Sequence, residues 1–139
     1  MDSFGICELF TRVFVSPEQF RATVAFYKAL TGGRVILHFA FPERGLELAS
    51  VSSPMASFLV IAGTERALTP FRSTGLTILV SDITAIFKNL PPLGATVLQE
   101  PTPVPPGYQM RVRHPDGLIV EYVQHTSAAD RFRDPELWA

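Results

Sequence analysis

The sequence predicts an α+β fold built from two copies of one unit, each a strand, a helix and three further strands. Three observations carry this reading. Val15-Ser16 and Val80-Ser81 each close a strand pattern and open a helix pattern, about 65 residues apart. Both helix patterns end at residues that cannot continue a helix, Gly32-Gly33 and Pro91-Pro92. Near the end of the second copy, Pro115-Asp116-Gly117 supplies strong turn chemistry between two strand patterns, because Pro fixes φ, Asp bonds local backbone and Gly accepts positive φ.

The first unit spans about 6–63. Residues 6–15 alternate as a strand, with Leu9, Thr11, Val13 and Val15 on one face and Phe10, Arg12 and Phe14 on the other. Ser16 is a suitable N-cap, Pro17 occupies a position where its missing N–H is harmless, and Gln19 completes a Ser-x-x-Gln capping box. The helix over about 17–31 places Phe20, Thr23, Val24, Tyr27 and Leu30 on its buried stripe. Strands follow at 34–41, 46–52 and 56–63.

A linker, 64–74, leads to the second unit at about 75–124. Residues 75–81 read as a strand, and Asp82 caps a helix over 82–90 with Ile83, Ile86, Phe87 and Leu90 at i, i+3, i+4 and i+7. Gly94 opens a strand from Ala95 to Glu100. In the hairpin over 107–124, Tyr108, Met110 and Val112 alternate with Gln109, Arg111 and Arg113, and the returning strand is apolar except for Glu121. The tail, 125–139, with Pro135 and a lone Trp138, reads as a short appended helix or an arm.

The 139 residues suit a single domain, 1–139, with 47% hydrophobic and 18% charged residues placing it in the globular class. A net charge of −1 gives no electrostatic case for nucleic acid or an anionic membrane. Cys7 is the one cysteine and reads as a small buried hydrophobe. It cannot form an internal disulfide, which favours a reducing compartment. The N-terminus, with Asp2 and Glu8, has no basic region before an apolar run, and no stretch approaches the roughly 20 apolar residues that span a bilayer. A soluble cytoplasmic protein is expected.

The run His114-Pro115-Asp116-Gly117, then three residues, then Glu121 resembles the closing element of the vicinal oxygen chelate superfamily, which includes glyoxalases, bleomycin-resistance proteins and extradiol dioxygenases. That family's usual run is Asp-Pro-Asp-Gly with the same spacing to Glu. Phe26-Tyr27-Lys28-Ala29-Leu30 and its glycines are similar to the family's helix end. The resemblance covers about 6–124 and implies two βαβββ modules whose curved mixed sheets surround a concave cleft, with the helices outside.

In metal-dependent members each module supplies two ligands, from its first and last strands. Counting from the shared motifs, these positions fall on Glu121 and near Phe10, Val60 and Gly75, three of which lack ligating side chains. A shift of one or two residues brings in only Glu8. Glu121 and His125 share a strand face, and His38 offers a third ligand from another strand, but His38 reads better as a histidine satisfied by one hydrogen bond. No bound metal and no cofactor are expected.

A carboxylate inside an apolar strand must face water, pair or line a site. Glu121 therefore reads either as a partner of Arg12, Arg111 or Arg113 or as a ligand contact, and the two are compatible. If Leu9, Val13 and Val15 pack under the first helix, strand parity directs Phe10, Arg12, Phe14, Phe58, Val60, Thr77, Leu79, Ile119, Glu121 and Val123 to the concave side. That set suits a small apolar or aromatic molecule, and the resemblance then implies a metal-free binding protein like the antibiotic-sequestering members. The alternative is a lyase, isomerase or oxidoreductase of the glyoxalase or dioxygenase type, with Glu121 as base or in a non-standard metal site. A homodimer is expected, because open sheet edges need cover. Trp138 would seal its seam or fold back on its own chain.

Overall fold

The computed structural model describes residues 4–138, so Asp2 and Ala139 lie outside the described residues. It is an α+β fold of two βαβββ modules with mixed sheets. In chain order the elements are β1 (Ile6–Val15), α1 (Phe20–Thr31), β2 (Arg34–Phe41), β3 (Leu46–Ser52), β4 (Ser57–Ala62), α2 (Glu65–Leu68), β5 (Leu76–Val80), α3 (Ile83–Asn89), β6 (Thr96–Val104), β7 (Gly107–Arg113) and β8 (Ile119–His125). The expected linker is partly helical. Thr64 Oγ1 accepts from the Ala67 N–H at 3.2 Å and so caps α2, which a 3-10 turn at Thr69–Phe71 follows.

The N-terminal module comprises residues 10–73 with 131–138. Its strands lie in the order β2-β3-β4-β1, with β1 and β4 parallel and the other pairs antiparallel. A 3-10 turn at Pro17–Gln19 precedes α1, and Gln19 Oε1 accepts from the Ser16 N–H at 3.2 Å. Phe20 and Val24 of α1 pack on Ala49, Val51, Val60 and Ala62, with Tyr27 and Val35 at the margin. α1 lies over β4, β3 and β2, and Leu9, expected beneath the helix, is 49% exposed. Leu30, expected on the buried stripe, is 62% exposed in the last turn of the helix.

The tail forms 3-10 segments at Ser127–Phe132 and Pro135–Trp138. Phe132 lies 5.6 Å from Phe39 on the sheet face opposite α1, whereas Trp138 meets Phe20 and His38 on the helix face, at 6.0 and 5.1 Å between ring centroids. The tail therefore wraps the outer strand β2 and folds back on its own chain, with Lys28 Nζ donating to the Trp138 carbonyl.

The C-terminal module comprises residues 4–9 with 74–130, in the strand order β5-β8-β7-β6. The β5–β8 pair is parallel, and the β7 pairs are antiparallel. Asp82 Oδ1 accepts from the N–H groups of Thr84 and Ala85, at 3.1 and 3.2 Å, and starts α3. Ile83 and Ile86 of that helix pack on Ile78, Val80, Met110, Val112, Val120 and Tyr122. The outer strand β6 carries Pro101 and Pro103, which have no N–H to offer a further strand. Cys7, expected to be buried, is exposed. Among the described residues no helix is long and apolar enough to cross a membrane.

Candidate functional site

Strand register assembles the candidate site in the C-terminal module. Thr77 of β5 stands opposite Glu121 of β8, Glu121 opposite Arg111 of β7, and Arg111 opposite Gln99 of β6. Residues paired across strands project from one face, so these four side chains form a row across the sheet on the face opposite α3. Leu79, Val123 and Gln109 flank the row on one side and Ile119 on the other.

Two hydrogen bonds lock its ends. Thr77 Oγ1 donates to Glu121 Oε1 at 3.0 Å, and Gln109 Nε2 donates to Gln99 Oε1 at 3.0 Å. Thr77 and Gln109 are buried, and Glu121 and Arg111 are half-buried. Glu121, which the sequence reads as a partner of an arginine, a ligand contact or both, accepts from Thr77 in this row. Arg111 Nε is buried and has no hydrogen-bond partner among the described residues. A buried charged donor left without a partner is costly, and native chains rarely leave one so.

The parity reading places Thr77, Leu79, Ile119, Glu121 and Val123 on the face that carries this row. In the N-terminal module it holds for β1 and fails for β4. Parallel pairing aligns Thr11 with Phe58 and Val13 with Val60, so Phe58 and Val60 face α1. Phe58 stacks on Tyr27 with ring centroids 4.2 Å apart, and Val60 is 0% exposed in the core beneath Phe20 and Val24. Phe10, Arg12 and Phe14 do lie opposite α1, yet Phe10 is only 3% exposed. Phe14 has the guanidinium carbons of Arg12 and Arg72 each 5.5 Å from its ring centroid.

The four-ligand metal set does not fit these positions. Val60 is core, Phe10 is a buried ring, and a Cβ at Gly75 would meet Leu118 Cδ1 at 3.3 Å. Among the described residues no three His, Cys, Asp or Glu side chains converge on a point that would hold a metal. His38 Nε2 lies 2.7 Å from Glu47 Oε2, on the helix face of its sheet. His114 Nε2 lies 2.6 Å from the Tyr122 hydroxyl, on the face packed under α3, where burial raises the Tyr122 pKa above its ordinary 10.0.

Gln99 and Gln109 were missed as site residues. Gln109 was visible in the alternation of β7. Gln99 was hidden by irregularities in β6 on both sides of it, which break the period-two signal.

An uncharacterized protein of Methanosarcina mazei aligns with 87% of this chain and 94% of its own, at 37% identity and a TM-score of 0.75. The chain belongs to the same family as that protein. Its fold is the vicinal oxygen chelate fold, shared with methylmalonyl-CoA epimerase of Mycobacterium tuberculosis at 16% identity, 91% and 93% coverage and a TM-score of 0.66. The Streptomyces coelicolor methylmalonyl-CoA epimerase in complex with 2-nitronate-propionyl-CoA shares it at 20% identity, 86% and 99% coverage and a TM-score of 0.57. No family model matches the sequence, and no curated protein matches it. Within the vicinal oxygen chelate fold, the row through Glu121 lies on the sheet face turned away from the module's helix.

Proposed function

We propose that this chain is a metal-free small-molecule-binding protein whose site is the polar row of the C-terminal module. The observation that carries the reading is Arg111, a half-buried guanidinium whose Nε lacks a partner among the described residues, set beside Glu121 and Gln99. Apolar Leu79, Val123 and Ile119 border the row, so a ligand with an apolar or aromatic body and one hydrogen-bonding end matches it. Isothermal titration against planar aromatic metabolites, antibiotics and acyl-CoA thioesters tests this. At least one compound should bind, and Arg111→Gln should weaken it about tenfold or more, the scale of a lost charged hydrogen bond. No binding by any compound, or affinity unchanged in Arg111→Gln, would contradict the assignment.

A second reading is an epimerase-like isomerase with Glu121 as the base. Two epimerases that share the fold favour it. Inverting a centre next to a thioester carbonyl requires removal of a proton, and a carboxylate in hydrogen-bond reach can take it. The reading predicts deuterium uptake from D2O into methylmalonyl-CoA, lost in Glu121→Gln. Ligand binding without deuterium uptake would leave the binding function alone.

A further inference from the structure

The helix α1 is apolar on two sides. Phe20 and Val24 face the core, and at about 100° per residue Ala22, Phe26 and Leu30, with Ala25 and Ala29 beside them, fall on the opposite side. All five are exposed, Phe26 at 59% and Leu30 at 62%. A surface helix ordinarily gives that side to charged and polar residues. The two charged residues of α1 are turned elsewhere. Arg21 has its guanidinium carbon 4.8 Å from the Trp138 ring centroid, and Lys28 Nζ donates to the Trp138 carbonyl. The tail thus holds both cations on one flank of the helix and leaves its outer face without charge.

Exposed apolar residues scattered singly need no explanation, whereas a continuous stripe of five is the form a contact surface takes. Phe26 is held in place within it. Its ring meets Tyr27 edge-on with centroids 5.1 Å apart, and Tyr27 stacks on Phe58 at 4.2 Å. An aromatic side chain ordered before contact loses little freedom on association, which is the character of an anchor residue.

The order of the residues identifies the occupant. When a second α1 is laid antiparallel with a twofold axis beside Phe26, Phe26 meets the partner's Phe26 and Leu30 stands over the partner's Ala22. A large side chain at one end then fills the space that a small one leaves at the other, and the symmetry repeats the fit. Residues 22, 26 and 30 form an i, i+4 ridge, of the kind that packs at an interaxial angle of about −50°. The same arrangement sets the first turn of one helix beside the last turn of the other. Exposed Glu18 lies just before the first turn and exposed Arg34 just after the last, so opposite charges meet at both ends. A parallel arrangement would set Glu18 on the partner's Glu18.

We propose that the outer face of α1 is a self-association surface, on which a second copy of this chain packs antiparallel about a twofold axis at Phe26. The surface lies in the N-terminal module and does not rest on the function assigned above. A seam of one helix is small beside the roughly 800 Å² per partner of a standard interface, so the dimer is a weak one.

Sedimentation velocity of the intact chain from about 1 µM to 1 mM tests this. It should show reversible monomer–dimer exchange with a midpoint of about 10 to 300 µM, the range of a small interface. Phe26→Glu sets two carboxylates against each other on the axis and should leave a monomer throughout, with circular dichroism unchanged because the position is exposed. Should that variant not fold, Ala22→Arg, also at an exposed position, makes the same test. Glu18→Arg and Arg34→Glu should each weaken the dimer about threefold or more, and the double exchange should restore it. A monomer across the whole range, a dimer of undiminished strength in folded Phe26→Glu or Ala22→Arg, or a double exchange that associates no better than either single variant would each overturn the proposal.

Discussion

Glu121 shows how a sheet accommodates a carboxylate among apolar neighbours. Its Oε1 takes the Thr77 hydroxyl at 3.0 Å, so part of its desolvation is offset before any ligand arrives. Thr77→Val keeps the side-chain shape and removes the donor. It should lower unfolding free energy by about 1 kcal/mol in urea titration, with the fold retained. Tyr122 gives a second prediction at this scale. Burial raises its pKa above 10.0, whereas the unfolded phenol ionises at its ordinary value. Above about pH 10 the unfolded state therefore sheds a proton that the folded state keeps, and stability falls as pH rises through the folded pKa. Tyr122→Phe removes that titration, so its denaturation midpoint should decline less than the wild type's over that range. Residue facing was legible where polar and apolar positions alternate, as with Glu121 in β8. It was not legible at Phe58 and Val60, because 58–62 is apolar throughout and offers no contrast between faces.

Among the elements, the helix starts were the most legible features, since their chemistry is local. Asp82 engages two N–H groups of α3. Asp82→Ala should cost about 1 kcal/mol, visible as a lower thermal midpoint. The tail was legible only as an appendage. Its course depends on Phe132 finding Phe39 and Trp138 finding Phe20 and His38, contacts between residues roughly a hundred positions apart that no local pattern encodes. Trp138→Ala removes a side chain that is 9% exposed and should cost about 3 kcal/mol, measured by denaturant unfolding followed by circular dichroism. In β6 the irregularities that hid Gln99 also set it opposite Arg111, so the feature that obscured a site residue is the one that positions it.

At the scale of the molecule, one βαβββ plan is used twice with different surfaces. On the face opposite its helix, the N-terminal module presents buried Phe10, Leu48, Leu59 and Ile61 with Arg12 and Ser50 among them, whereas the C-terminal module presents the longer polar row of Thr77, Glu121, Arg111, Gln99 and Gln109 between Leu79, Val123 and Ile119. The repeat was legible from the matched helix starts, but this difference between copies was not, because it depends on strand register. Under the proposed function, a small molecule is held at the polar row of the C-terminal module. The most direct measurement is amide chemical-shift mapping of the 15N-labelled chain, titrated with a library of aromatic and carboxylate fragments. Saturable shifts should cluster on Thr77, Gln99, Gln109, Arg111 and Glu121 and be lost in Arg111→Gln. The absence of any fragment that shifts these amides, or a cluster that survives unchanged in Arg111→Gln, would contradict it.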